Sequence, residues 1–245
     1  MEVRFDDFWI NGVSARSKGI TTVDPLQPPP MAARRYSDYQ VGSDTDLIVS
    51  DDGFDDIRYP ITVRIIGKPD SLDNAALYAY LAGAQTLRIS RLPLYEFRIR
   101  KVSGISPQSR NKGNEMIYTV TFELSPWKYF AFEPKVNVSS SGTNIVCAGT
   151  RFCKPLYKIT LSSYTGTGAL SVNGQQVTII IANSMHTKTF YVDSEKQIAY
   201  DGGSNPQMRT QLTSGIFPYM NVGQNAVTFG GIIESIEITR NQRCY

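Results

Sequence analysis

Residues 116–125 read Met-Ile-Tyr-Thr-Val-Thr-Phe-Glu-Leu-Ser, and apolar and polar side chains alternate along this stretch. Successive side chains of a β-strand point to opposite faces of a sheet, so the pattern is typical of a strand with one buried face. The same period recurs at 95–100, 61–65 and 157–161, and less regularly at 236–239. The sequence therefore predicts a mainly β protein.

Turn residues separate these predicted strands. The pairs Asn11-Gly12, Asn173-Gly174 and Gly230-Gly231 tolerate the positive φ of tight hairpin turns. Residues 71–83 differ, because their apolar side chains recur at helical spacing between a capping Ser or Asp and a terminal glycine. We therefore predict strands joined by short turns, with one amphipathic helix packed on a sheet.

Two segments interrupt this pattern. Residues 24–30 contain four prolines and are predicted to run extended, because proline removes a backbone donor and disfavours helix before it. Residues 104–114 are mostly polar and separate two strong predicted strands. We interpret them as a long loop, a kind of segment that often carries function.

Charge divides the chain into two parts. Of its 245 residues, 41% are hydrophobic and 19% are charged, which is enough apolar material for packed cores. Residues 1–126 carry 15 basic and 16 acidic side chains, whereas residues 127–245 carry 10 and 6. The net charge thus shifts from −1 to +4 beside the aromatic-rich stretch 127–132. This shift predicts two domains, 1–130 and 131–245.

Histidine and cysteine are scarce. A Ser-His-Asp or Cys-His site would depend on His186, the single histidine, and nothing in the sequence indicates a nucleophile for it. Cys147, Cys153 and Cys244 include no C-x-x-C pair, so we predict no zinc site and no metal site. We expect free, mostly buried thiols, although Cys147 and Cys153 are close enough in sequence to pair across a turn.

The remaining catalytic classes lack a motif. Gly166-Thr167-Gly168 has no following lysine, so no phosphate-binding loop or cofactor is predicted. A glycosidase needs two carboxylates beside a cleft. Acids in the second half qualify by number only: Glu133, Asp193, Glu195, Asp201, Glu234 and Glu237. We therefore expect no enzymatic activity.

Membrane and nucleic-acid roles are also disfavoured. The chain has no run of 18 apolar residues, and its first residues are acidic where a signal peptide is basic. The net charge of +3 is weak, and no basic stripe indicates phosphate binding. We expect a soluble, non-secreted protein without membrane insertion.

An acidic cluster surrounds Gly53 and consists of Asp44, Asp46, Asp51, Asp52, Asp55 and Asp56. Its spacing does not match a calcium loop, and no late glutamate follows it. We interpret these residues as solvated turn residues. The alternative is that they meet Arg34 and Arg35 of a neighbouring copy of the chain.

The order of segments along the whole chain resembles the distal tail proteins (Dit) of long-tailed siphophages. Each segment is weakly specific alone, but their order and spacing together are more specific. The segments that carry the likeness are 19–23, the proline segment 25–30, Arg34-Arg35, 41–44, 57–63, 87–97, 118–127, 155–159, 191–195, 215–225 and 236–240.

The resemblance implies two β-sandwich domains, of which the first is tail-tube-like with one short α-helix and the second is galectin-like. It implies a hexameric ring at the distal end of the virion tail, assembled in the host cytoplasm. Such a hub joins the tail tube protein to the tail-tip protein or baseplate, leaves a channel through which DNA passes, and can carry receptor-binding proteins.

Ring contacts are the candidate sites under this resemblance. A closed ring repeats one interface by rotation, and oppositely charged side chains suit such contacts. We expect Arg34, Arg35 and the acidic cluster to lie at the contact between subunits. Arg110 and Lys112 are expected to contact a stacked ring or the tip protein. The alternatives are a lectin-like module for a cell-surface glycan and, third, a glycoside hydrolase.

Overall fold

A computed structural model describes residues 6–39, 47–66, 72–111, 115–181, 187–202 and 213–245. The chain divides into two compact units. The first unit comprises residues 1–131 together with Tyr245, and the second comprises residues 132–244.

The first unit contains one α-helix, a 3-10 turn and nine strands among its described residues. They are β1 (Phe8–Ile10), β2 (Val13–Ser14), the 3-10 turn Arg16–Lys18, β3 (Ile20–Thr22), β4 (Arg34–Tyr39), β5 (Leu47–Phe54), β6 (Ile57–Ile66), α1 (Leu72–Leu81), β7 (Thr86–Ile89), β8 (Tyr95–Asn111) and β9 (Glu115–Phe130).

Most of these strands form one antiparallel sheet in the order β2-β1-β7-β8-β9-β6-β3. Alternate side chains on one face of this sheet are buried, among them Phe122 of β9 and Ile61 of β6. Leu77 and Leu81 of α1 join the same core. The buried face of the sheet and the apolar face of α1 therefore form one apolar layer.

The second unit contains strands β10 to β20. They are β10 (Val136–Val138), β11 (Thr143–Cys147), β12 (Leu156–Leu161), β13 (Gly166–Val172), β14 (Gln175–Ile181), β15 (Thr189–Asp193), β16 (Ile198–Asp201), β17 (Thr213–Gly215), β18 (Gly223–Gly231), β19 (Ile233–Thr239) and β20 (Arg243–Cys244).

Ten of these strands form two five-stranded antiparallel sheets, in the orders β10-β19-β12-β15-β16 and β11-β18-β13-β14-β17. Side chains of both sheets enter one core, including Ile159 and Ile236 from the first sheet and Leu170 and Ile179 from the second. Two sheets that share one apolar layer are a β-sandwich.

The structure confirms the main sequence predictions for the fold. Every stretch with two-residue alternation lies in a strand, and residues 72–81 form the predicted helix. Both Asn-Gly pairs have positive φ, at +50° and +79° for Asn11-Gly12 and +51° and +84° for Asn173-Gly174. These signs are those of the hairpin turns that match strand twist.

One hairpin turn lies slightly later than predicted. Strand β18 includes Gly230 and ends at Gly231, whose φ is +70°, and Ile232 completes the turn before β19. A side chain on Gly231 would collide with the carbonyl oxygen of Thr167. Glycine is required there both by the backbone conformation and by this close approach.

The prediction of a long loop at 104–114 is wrong for the residues that the structure describes. Residues 104–111 continue β8 and pair with β9 as far as Asn111 opposite Glu115. Ile105 lies opposite the buried Val120 and packs partly buried against the core, whereas residues 106–108 are exposed. Several register shifts let this strand accommodate glycine and proline. Residues 112–114 lie outside the described residues.

Candidate assembly surface

A two-stranded ribbon extends the first unit beyond its main sheet. Strand β4 pairs antiparallel with β5, from Arg34 opposite Phe54 to Tyr39 opposite Leu47. Among the strands that the structure describes, this ribbon pairs with no other. An isolated two-stranded ribbon is marginally stable in water, so a further surface is needed to cover it.

The predicted contact residues fall on this ribbon and at its base. Arg34 and Arg35 lie in β4, and Asp51 and Asp52 lie in β5, so these two aspartates are strand residues rather than the predicted turn residues. The error arose because paired aspartates are rare in strands, where β-branched and aromatic residues are favoured. Asp44 and Asp46 lie outside the described residues, between the two strands.

The base of the ribbon is exposed and carries both signs of charge. Asp55 and Asp56 follow β5 and are exposed. The backbone N–H of Asp55 donates to the carbonyl of Ala33 at 2.9 Å. Arg100 Nε lies 3.7 Å from Asp56 Oδ1. These residues line an open cleft of about 480 Å³ together with Gly53, Phe54, Pro126 and Trp127.

Three aromatic rings pack at the same base. The centroid of Phe54 lies 4.9 Å from that of Trp127 and 5.9 Å from that of Tyr245. Trp127 and Tyr245 are 5.4 Å apart, in an edge-to-face arrangement. Met31, which is 77% exposed, lines a small neighbouring cavity with Tyr245. Edge-to-face aromatic packing of this kind fixes the end of β5 on the first unit.

A second candidate surface is the outer edge of β8. This strand has 17 residues and β9 has 16, beyond the usual length of strands. Strand β7 pairs only with Phe97 and Arg98 of β8, so no described strand pairs with the outer edge of residues 100–111. Arg110 lies near the end of this edge. Lys112, the other predicted contact residue, lies outside the described residues.

An open cleft of about 470 Å³ separates this edge from the end of α1. Its lining includes Tyr78 and Leu81 of the helix and Val102 and Ile105 of the strand. The Tyr78 side chain is 56% exposed. An unpaired strand edge beside an apolar cleft is a geometry that accepts an added strand.

The outer face of the main sheet is charged and is organised by aromatic rings. The Arg88 guanidinium lies 4.6 Å from the centroid of Trp9, and that of Arg98 lies 4.0 Å from that of Tyr129. Burial raises the pKa of Glu96, while the charges of Arg98 and Arg88 act in the opposite direction. This face therefore holds its charges in fixed positions.

The second unit presents a different surface. The sheet β11-β18-β13-β14-β17 contains no charged residue in any of its five strands. Its exposed positions carry hydroxyl, amide and apolar groups, including Gln224, Ala226 and Thr228 of β18 and Ile180 of β14. We name this surface the neutral sheet face. The opposite sheet carries Lys158 opposite Glu237.

Three of the six second-half carboxylates make defined contacts within their own unit. Glu133 forms an ion pair with Arg240, with Nε and Oε1 2.8 Å apart, and accepts hydrogen bonds from Gln242. Asp193 accepts backbone hydrogen bonds in the turn that follows β15. The Lys135 ammonium, 2.8 Å from Glu237, lowers the pKa of that carboxyl. Glu195, Asp201 and Glu234 also lie in this unit.

The described residues show neither a cluster that could hold a metal ion nor a helix that could span a membrane. In that part of the chain, no three His, Cys, Asp or Glu side chains are grouped closely enough to hold a metal ion. None of its helices is both long enough and apolar enough to cross a membrane. His186 lies outside it, so the structure does not place this side chain. The three cysteines are free and buried, as predicted.

The chain matches a solved structure over nearly its full length. The crystal structure of the SPP1 Dit protein has a TM-score of 0.65 and 11% sequence identity to it, covering 97% of this chain and 99% of that chain. The chain has the Dit fold. That Dit protein is described as a paradigm of the hub adsorption apparatus in phages infecting Gram-positive bacteria. No family model and no curated protein sequence matches the chain.

Sequence reasoning missed two parts of this Dit fold. The aromatic base of the ribbon joins Phe54, Trp127 and Tyr245, which are far apart in sequence and carry no local signal. The neutral sheet face was missed because strand neighbours such as β11 and β18 are also distant in sequence.

Proposed function

We propose that the protein is a structural hub at the distal end of a long-tailed phage tail, without catalytic activity. Six copies would form a ring that joins the tail tube protein to the tail-tip protein or baseplate, with a channel for DNA. The observation that carries this proposal is the match to a Dit hub protein along 97% of the chain. The protein would be assembled in the host cytoplasm.

The two parts of the chain would have different roles. Residues 1–130 would form the ring as a tail-tube-like domain, and residues 131–245 would form a galectin-like domain on its outside. The β-sandwich of the second unit supports the latter assignment. Receptor-binding proteins would attach to the assembled hub, which does not insert into a membrane and contacts DNA only in transit.

Unpaired strand edges among the described residues of the first unit support ring formation. The β4–β5 ribbon has no sheet partner among the described strands, and neither does the outer edge of β8. Exposed strand edges are normally covered or protected, and a neighbouring copy would cover these. A head-to-tail contact of this type closes into a ring when the rotation between copies is suitable.

Charge supports the same contact. The ribbon strands carry arginines at 34 and 35 and aspartates at 38, 51 and 52, so both signs of charge lie on one element. We propose that the arginines of one copy meet the acidic cluster of the next. Complementary charges would fix the orientation of successive subunits more than they would add affinity. Arg110 and Lys112 would contact a stacked ring or the tip protein.

Negative-stain microscopy with light scattering tests this proposal on the full-length protein. We expect rings with six-fold symmetry, either alone or with the tube protein. Arg34→Glu combined with Arg35→Glu should abolish the rings, because like charges would then face each other. The matched control is Lys154→Glu with Lys196→Glu in the second unit, which should leave the rings intact. A stable monomer under all conditions would contradict the ring.

A second experiment addresses the cleft beside β8. Tyr78→Glu introduces a charge into this cleft and should weaken ring formation, whereas Tyr164→Glu, on an exposed tyrosine of the second unit, should not. Far-ultraviolet circular dichroism of both variants controls for folding. Rings that survive Tyr78→Glu unchanged would remove this cleft from the subunit contact.

A glycan-binding role is a second candidate, favoured by the neutral sheet face. Its exposed hydroxyl and amide groups suit hydrogen bonding to an uncharged saccharide. A glycan array probed with the full chain tests this role. Binding that is lost in Thr228→Lys but kept in Lys158→Ala, on the opposite sheet, would support it.

A further inference from the structure

Two buried thiols lie against each other in the second unit. Cys147 ends β11 and is 1% exposed, and Cys153 is fully buried. Their sulfur atoms are 3.3 Å apart and unbonded. A disulfide bond has a length of about 2.05 Å, so the two sulfurs would need to approach by little more than 1 Å.

One rigid segment positions both cysteines. Cys147 lies opposite Gly223 in the β11–β18 register. Cys153 forms a β-bridge with Met220, with N–H to carbonyl distances of 2.8 and 3.0 Å. The buried Asn225 side chain holds the segment between these two anchors: it donates to the Gly223 carbonyl at 2.9 Å and accepts from a backbone N–H at 2.7 Å. The thiols therefore meet because the backbone around both is fixed.

The chain between the two cysteines is also fixed. The backbone N–H of Thr150 donates to the Arg243 carbonyl at 3.0 Å, and Arg151 forms a β-bridge with the same residue. The backbone N–H of Ala148 donates to Gln242. A Cβ on Gly149 would collide with the Arg243 backbone, so glycine is needed for this close approach. Bond formation between the sulfurs would not require this loop to refold.

The surroundings favour a thiolate on one of the two sulfurs. The hydrogen bond with Cys153 is the largest influence and lowers the pKa of Cys147 to about 7. A backbone hydrogen bond at Gly149 and the charge of Arg240 act in the same direction, whereas burial and the charge of Glu133 oppose them. The pKa of Cys153 is raised, because its proton is held by Cys147 and because it is buried. Thiolate is the reactive form of cysteine, so Cys147 is the expected nucleophile.

We propose that Cys147 and Cys153 form an intramolecular disulfide when the protein meets a small two-electron oxidant of the peroxide class. The Cys147 sulfur attacks one oxygen of hydrogen peroxide, so an S–O bond forms, the O–O bond breaks, and the departing hydroxide takes a proton to leave as water. The Cys153 sulfur then loses its proton and attacks the Cys147 sulfur. The S–O bond breaks and a second water leaves.

This reaction is balanced, because two thiols and one peroxide give one disulfide and two waters. The sulfurs lose two electrons, and the peroxide gains them. The product closes a loop of residues 147–153 between β11 and the bridge to Met220. Such a cross-link restricts the unfolded chain and stabilises the folded one. The inference does not depend on the proposed hub function.

Trypsin mapping of the full-length protein tests the cross-link. Trypsin cuts after Arg151, which places Cys147 in peptide 136–151 and Cys153 in peptide 152–158, while Cys244 remains in the dipeptide 244–245. The folded protein is treated with hydrogen peroxide, unfolded, alkylated and digested without reduction. We expect the first two peptides to remain joined, two hydrogens lighter than their sum, with one alkylated thiol per chain.

Variants and heating complete the test. Cys244→Ser should keep the joined peptides, and Cys153→Ala should lose them. Oxidation should raise the thermal midpoint of the wild type and of Cys244→Ser by about 3 °C or more, reversibly with dithiothreitol, and should not raise that of Cys153→Ala. Wild-type protein in which all three thiols are alkylated after peroxide, or in which Cys147 is over-oxidised without joined peptides, would overturn the proposal.

Discussion

The outer sheet face of the first unit is charged, whereas the neutral sheet face of the second unit is not. The first holds Arg88, Arg98 and Glu96 in fixed positions against aromatic rings or one another, and Lys101 pairs with Glu123 at 3.2 Å. The second carries no charged residue in its five strands. Covering the second face would desolvate no charge, whereas each charge on the first would need a partner.

Under the proposed hub function, the two faces would suit different contacts. Fixed charges give orientation and selectivity to a contact, which a repeated subunit interface needs. A neutral face of small polar groups can be covered by a partner without paired charges. Each face is held in place by the buried core beneath it. The largest effects are therefore expected from substitutions in the cores.

The largest effect is expected from Phe122→Ala, which removes a fully buried ring from the first unit. We expect it to lower the free energy of unfolding by about 3–5 kcal/mol, because the lost burial and the cavity both destabilise. Thr121→Ala, on the neighbouring outward position of β9, is the matched control and should change it by less than about 1 kcal/mol. Urea denaturation measures both, and equal effects would show that the assigned faces are wrong.

The next effect is expected from Asn225→Ala, beneath the neutral sheet face. The Asn225 side chain is fully buried and accepts hydrogen bonds from the Asn173 amide at 2.8 Å and the Asn221 N–H at 2.7 Å. Removing this side chain should lower the free energy of unfolding by about 2 kcal/mol, because its hydrogen-bond partners are left unsatisfied. The exposed neighbour Gln224→Ala is the control. A cost for Asn225→Ala no larger than the control's would contradict this network.

Alkaline pH should destabilise both units. Burial and the charge of Asp6 raise the pKa of Tyr59 to about 12. The folded state then holds a proton that the unfolded state releases from about pH 10, so the free energy of unfolding falls as pH rises between these values. Tyr59→Phe should flatten this fall for the first unit. Burial also raises the pKa of Tyr157, so Tyr157→Phe is the corresponding test in the second unit.

The smallest effect is expected on the charged face itself. Lys101→Ala removes one exposed ion pair with Glu123 and should lower stability by about 0.5 kcal/mol. High salt should reduce this difference further, since exposed charges are screened. Urea denaturation of the wild type and of Lys101→Ala at low and at high salt measures this difference in the free energy of unfolding. A loss several times larger, independent of salt, would mean that the pair is more than a surface contact.

Much of the fold could be predicted from local pattern. The alternation at 116–125 gave β9, and helical spacing at 72–81 gave α1, because each signal is contained in one element. Strand residues 104–111 were missed because Gly104, Pro107 and the serines around them resemble loop residues. They are tolerated because bulges interrupt the register and because residues 106–108 are exposed to solvent.

The candidate surface was only partly predictable. Charge drew attention to Arg34, Arg35, Asp51 and Asp52, but their place on a paired ribbon depends on contacts between β4 and β5. The neutral sheet face requires knowing that β11 lies beside β18, whose residues are far along the chain. Pairing between strands that are distant in sequence produces no repeating residue pattern from which it could be predicted. The structure supplied these pairings, which local pattern could not.

Native mass spectrometry of the full-length protein tests the central claim most directly. Over a dilution series, the hub account predicts a complex of six copies, alone or with the tube protein, that is lost in the Arg34→Glu and Arg35→Glu double variant. The Lys154→Glu and Lys196→Glu control should keep it. A monomer at every concentration, with and without the tube protein, would contradict the account.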